Sequence, residues 1–312
     1  SLHDGDTIQL SAEIYYEGSV LSTGGKDISI RGTMNGDGSP TSVLDGSQSH
    51  RIWSCVNGET DAMVFENLVF QYGASDNGAG MAIENGSTPT LINCSFNSNK
   101  ATENGGGVQC LGSNPTLTNC TFLLNHGKYG AGVFLENSSA TLTDCWFEEN
   151  QGVRGGGGVG ICNRYSSPTI TDCMFRSNQT NVAAGEAYTD TLAGSGGGMW
   201  NKSSSPVVTN CIFEYNRAGS GGGMSNDGGS EPIIVDCVFG SNEATTGGGG
   251  MKNGSATTTV TVTNCTFTYN MSQQCHHQKN GVGGGIYNAS ATTILNDCIF
   301  SNNTAAEGGG LF

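Results

Sequence analysis

The chain has 312 residues, with 12 Lys and Arg against 27 Asp and Glu and a formal net charge of −15. That balance argues against a nucleic-acid partner, because such binding rests on neutralising phosphates with basic side chains. No run of about 18 apolar residues occurs to make a transmembrane span, and 50 glycines against 6 prolines suit many tight corners better than a disordered linker.

Residues 1–65 hold strand-like but irregular segments, "GDTIQL", "ISIRGT" and "VLDGSQ". From residue 66 onward the chain repeats with a period of about 26 residues, the mark of a solenoid. The first copy, Asn67 to Phe70, has Leu68 where later copies have cysteine. The group Asx-Cys-x-Phe then recurs at Asn93-Cys94, Asn119-Cys120, Asp144-Cys145, Asp172-Cys173, Asn210-Cys211, Asp236-Cys237, Asn264-Cys265 and Asp297-Cys298. Each is followed by Gly-x-Gly and an aliphatic residue, as in "GAGMAI" at Gly78 and "GGGIYN" at Gly283. The chain opens at Ser1 and stops within a repeat at "GGGLF", so a processed or partial piece of a longer chain is expected.

One repeat predicts its own path. In "TLTNCTF", alternation puts Leu117 inward and Thr118 outward. A corner at Asn119 is then needed to bring Cys120 and Phe122 inside as well. Asn and Asp tolerate the left-handed conformation of such a corner. The Gly-x-Gly segment starts another strand, with Val108 and Cys110 inward. The expectation is an all-β right-handed parallel β-helix of three sheets and ten or eleven turns, with an Asx ladder at its sharp corner. Residues 1–65 would form its irregular first turns and 66–312 its regular ones, within one domain. From phenylalanine to the next glycine triplet the interval is 8 or 9 residues, except from Phe175 to Gly196 (21) and from Phe267 to Gly283 (16). Length variation thus sits in one loop per turn, as a stacked solenoid requires. A leucine-rich repeat is disfavoured by too few leucines.

The Gly-Gly-x-Ile/Val/Met and Phe-x-x-Asn pairs, the latter from Phe96–Asn99 to Phe300–Asn303, resemble the repeats of polymorphic outer-membrane proteins and their secreted β-helix relatives. In that family such repeats form surface-exposed adhesin stalks carried by a C-terminal membrane barrel. The resemblance implies an extracellular rod and little about mechanism; no barrel is visible in this sequence.

Eight of the 12 cysteines share one inward slot, and a packed, mostly reduced column is the reading preferred to disulfides, for which Cys55, Cys110, Cys162 and Cys275 are the candidates. "CHHQ" at Cys275, His276 and His277 reads as an exposed polar loop; no metal site and no cofactor are expected. No catalytic residue is assigned, because glycoside chemistry needs paired carboxylates and the only adjacent acids near a strand end, Glu148 and Glu149, would point apart. N-linked glycans are expected instead. Asn85, Asn137, Asn201, Asn253 and Asn288 are read as lying in the loop after the glycine strand, while Asn178, Asn270 and Asn302 are read as the Phe-x-x-Asn slot. Asn93, Asn119 and Asn264 are expected bare, as corner-ladder residues. Thr-x-Thr pairs at Thr116/Thr118, Thr141/Thr143, Thr169/Thr171 and Thr261/Thr263 resemble an ice-contacting grid, interrupted at Val207, Ile233 and Ile294. A glycan binder would use outward aromatics such as Phe134, Trp200 and Tyr287. An exposed apolar face is predicted from Trp146, Met174, Ile212 and Val238 beside Val207, Ile233 and Val235. The expected function is a non-enzymatic extracellular structural or adhesive glycoprotein. It would pack against copies of itself or other surface proteins. A carbohydrate-active enzyme or an ice- or glycan-binding module is the alternative.

Overall fold

The computed structural model describes residues 2–153, 155–180, 194–273 and 281–312. The inserted loops read at Thr180–Ser195 and Met271–Val282, with Cys275, His276 and His277, lie largely outside the described residues.

The chain coils into a parallel β-solenoid, and each regular turn has four strands where three are predicted. In one turn they are Thr116–Thr118, Thr121–Leu123, His126–Gly127 and Val133–Glu136. Each pairs in parallel and in register with its counterpart one turn on, Thr116 with Thr141 and Phe122 with Phe147. In the order of that turn, the four sheets hold 11, 11, 8 and 9 strands. Eleven levels are therefore present in the first two sheets and eight turns are complete, the first two levels and the last lacking the third strand.

The extra strand comes from a second sharp corner. The first corner falls at the Asx residue as predicted: Asn119 has φ 53° and Asp144 φ 54°. A second left-handed residue stands immediately before each Phe-x-x-Asn asparagine: Ser98, Leu124, Glu149, Ser177, Tyr215, Ser241, Tyr269 and Asn302, with φ between 52° and 56°. This conformation costs about 1–2 kcal/mol for residues with a Cβ, and these residue types do not announce it. The asparagine that follows does the holding. The backbone N and the Nδ2 of Asn125 both donate to Asn150 Oδ1, at 3.0 and 3.1 Å, and its Nδ2 also donates to the Phe96 carbonyl at 2.8 Å. The pattern repeats with Asn150 and Asn178 and runs on to Asn303. Buried donors left unpaired would be expensive, so the column fixes the turn-to-turn register.

The interior is a set of such columns. Nine phenylalanines from Phe70 to Phe300 stack face to face, with centroids 4.5–5.1 Å apart and planes within 7°. The glycine triplet exists to receive them. Gly130 takes φ 55°, and a Cβ on Gly132 would lie 2.8 Å from the Phe147 ring and 2.5 Å from the Gly160 carbonyl. Between Phe147 and the next triplet the interval is also longer than the 8 or 9 read from the sequence. Gly158, with φ 60°, begins that triplet, and the buried Val159 follows it.

The cysteine column is reduced throughout the described residues: all 11 cysteines are free and all but Cys298 are buried. Burial pushes the thiols of Cys55, Cys110, Cys120 and Cys162 up. Burial also shields the other ten from a reagent in solution, so iodoacetamide at pH 8 should label Cys298 alone among them in the native protein, and all of them after unfolding, as read by peptide mass spectrometry. Asn178→Ala would leave the backbone N–H of Asn150 and one hydrogen of its Nδ2 without an acceptor, and would remove the two bonds donated by the Asn178 amide. We expect a loss of about 3–5 kcal/mol, measurable by urea unfolding, against less than about 0.5 kcal/mol for Lys26→Ala in an exposed loop.

Candidate interaction face and glycan acceptors

The outward positions of the second sheet hold a column of apolar side chains. Trp146 pairs in register with Met174, Met174 with Ile212 and Ile212 with Val238. Trp146 is 45% and Val238 37% exposed, and the two between them are half-exposed. On the first sheet Val207 and Ile233 pair in register, at 40% and 46% exposure, and the half-buried Val235 lies beside Ile233. All seven residues predicted for this face therefore lie on the outer surface of two neighbouring sheets. Charged groups border it: Arg176 sits between Glu148 and Glu214, at 3.7 and 3.5 Å. Thr121 and Thr266 occupy the equivalent outward positions at either end of the apolar column.

The threonine grid also takes its predicted place. Thr116, Thr141 and Thr169 stack in register on the first sheet, and Val207 interrupts them on the next turn.

The predicted glycan acceptors separate sharply. Asn201 and Asn253 are not in loops. They point inward from the fourth sheet and are fully buried, in a second asparagine column that sequence reasoning missed: Asn163 Nδ2 donates to Asn201 Oδ1 at 2.7 Å, Asn201 to Asn226 at 2.8 Å, Asn226 to Asn253 at 2.8 Å, and Asn253 to Asn288 at 3.0 Å. Alternation from the buried methionines Met199 and Met251, two residues earlier, could have revealed this. Asn178 and Asn270 are fully buried in the Phe-x-x-Asn column, and each uses its Nδ2 for two hydrogen bonds. A glycan is attached at that nitrogen, so these four positions are withdrawn as acceptors in the folded chain. Asn288 ends the strand Ile286–Asn288 and is half-exposed. Asn302 is exposed at the second corner, because Asn303 holds the slot assigned to it. Asn85 and Asn137 are exposed at the turn between the fourth and first sheets. The hydroxyl of the Asn85 sequon, Ser87, is buried and bonded to Glu59. The corner amides of Asn93, Asn119 and Asn264 donate to the preceding turn's Asn67, Asn93 and Asp236.

The outward aromatics of the fourth sheet do not form a platform. Phe134 is fully buried, and Trp200 is half-buried against Tyr129. On the third sheet an open groove of about 710 Å³ lies over Tyr72, Asp76, Lys100, Thr102 and His126. Thr102 donates to Asp76 there at 2.7 Å. Among the described residues no group of three or more His, Cys, Asp or Glu is arranged to hold a metal ion, and no helix is long and apolar enough to cross a membrane.

These stacked sheets define a parallel β-helix. Residues 34–191 and 157–311 match the family of the right-handed β-helix region, and the chain belongs to that family. It is also similar to the crystal structure of tailspike protein 3 of bacteriophage CBA120, at 11% identity and a TM-score of 0.43. That alignment covers 96% of this chain and 54% of the tailspike chain, about half of its length. No curated protein matches the chain.

Expressed in a host that adds N-linked glycans, the chain should carry sugar on Asn137 and none on Asn178, Asn201, Asn253 or Asn270, as read by glycopeptide mass spectrometry. Occupancy at any buried position would contradict the column geometry.

Proposed function

We propose that the chain is a non-enzymatic structural or adhesive rod of the extracellular surface. Its contact surface is the apolar face across the first and second sheets, against another copy or another surface protein. The observation that carries this reading is the unbroken column Trp146, Met174, Ile212 and Val238. Threonines at equivalent outward positions demonstrate that the fold does not require apolar residues there. Contiguous apolar surface rimmed by charge is the physical signature of a contact site, and covering it gains about 25 cal/mol per Å². The exposed sequon at Asn137 supports a secreted setting and lies at the other edge of the first sheet.

The alternative, a carbohydrate-binding or carbohydrate-active module, draws on the groove over Tyr72, Lys100 and His126, an open cleft lined by an aromatic and polar side chains. Binding to a glycan array that is lost in Tyr72→Ala would favour it.

The contact reading is tested by placing a photo-crosslinking residue at Ile212 in the chain on its native surface. A covalent adduct is expected there and not at Lys252 on the fourth sheet. Failure to capture any protein from Ile212 would remove the basis for the proposal.

A further inference from the structure

We infer that the partner on the apolar face is a second copy of this chain, laid face to face and antiparallel. The inference rests on the contact reading above and adds the partner and its geometry. Four successive levels of the second sheet present Trp146 with Glu148, Met174 with Arg176, Ile212 with Glu214, and Val238 with Gly240. A two-fold axis along the strand direction, between the second and third of these levels, reverses their order in the partner and keeps each column opposite itself. Arg176 then faces Glu214 of the other copy, and Glu214 faces its Arg176. The bulkiest level, Trp146 with Glu148, faces the smallest, Val238 with Gly240. Met174 meets Ile212. The pattern is thus self-complementary in charge and in size under one operation, which an isologous dimer requires. A two-fold along the rod axis keeps each level opposite itself, so Arg176 lies level with Arg176 and Trp146 with Trp146.

Four levels about 4.8 Å apart and two short strands wide offer on the order of 400 Å² per copy. That is about half the area each partner buries in a standard stable interface, so the contact is weak in solution and strengthens where copies are concentrated on a surface. Like charges brought across such a contact suppress pairing.

The test uses the whole chain and two single variants, Arg176→Glu and Glu214→Arg. Alone, each places like charges across the two-fold and should stay monomeric in sedimentation at concentrations on the order of 100 μM, where the wild-type chain dimerises. Mixed in equal amounts, the two variants place Glu opposite Arg at both positions, so dimerisation should return to at least the wild-type level. A spin label at Thr121→Cys, in a background with Cys275 and Cys298 changed to serine, should report pairs separated by five levels, about 24 Å along the axis. Separations near one inter-sheet distance, about 10 Å, would indicate parallel rods and overturn the geometry. A wild-type chain monomeric throughout, or a mixture no more associated than its components, overturns the second-copy assignment. If Ile212 still crosslinks to a different protein in that case, the contact face stands and only the partner is wrong.

Discussion

Register is the constraint on which everything else in this rod depends. Each turn places a phenylalanine, an asparagine, a cysteine and a glycine directly over the same residue of the turn below. Backbone pairing alone tolerates slippage, but a buried amide does not. An asparagine one residue out of place would leave donors such as Asn150 N and Nδ2 without an acceptor inside an apolar core. The phenylalanine rings fill the space beside the asparagine column, and the glycines make room for the rings. The sharp corners follow, since the chain must turn from one sheet into the next at a single residue to return each amide to its column.

Much of this architecture could be read before any coordinates. The Asx-Cys-x-Phe groups announce the first corner because Asn and Asp are the residues suited to φ near 50°, and all nine copies adopt it. The second corner is silent. Leu124, Glu149 and Tyr215 carry no left-handed preference, and the information lies one residue later, in an asparagine whose role depends on its neighbour a whole turn away. That is why three sheets are expected and four are found. The second asparagine column was within reach of alternation from Met199 and Met251, and a competing local signal hid it. Asn201 and Asn253 stand in sequons whose serines look like glycan signals, yet stacking against Asn163 and Asn226 takes them inside.

The outer faces were more legible, because an outward strand position needs only alternation to be placed. Trp146, Ile212 and Val238 are where the pattern puts them, on an outward surface bordered by Glu148, Arg176 and Glu214. The fourth sheet is the exception. Its outward Phe134 is fully buried, with the Arg164 guanidinium of the next turn 5.9 Å from its ring centroid. Local alternation cannot foresee such burial.

The two buried asparagine columns have a further consequence. In the Phe-x-x-Asn column each Nδ2 donates both ways along the rod, on to the next asparagine and back to a phenylalanine carbonyl, whereas in the fourth-sheet column each side-chain amide from Asn163 onward donates only toward the C-terminal end. Peptide groups in the sheets alternate in direction along this axis and largely cancel, whereas these amide dipoles add. The exposed corner ladder runs the opposite way, but in water, where its field is screened. The rod therefore has an electrical polarity along this column, negative where Asn163 Oδ1 stands buried without a donor and positive toward Asn288. Two such rods lying antiparallel set these internal dipoles against each other, the arrangement in which side-by-side dipoles attract.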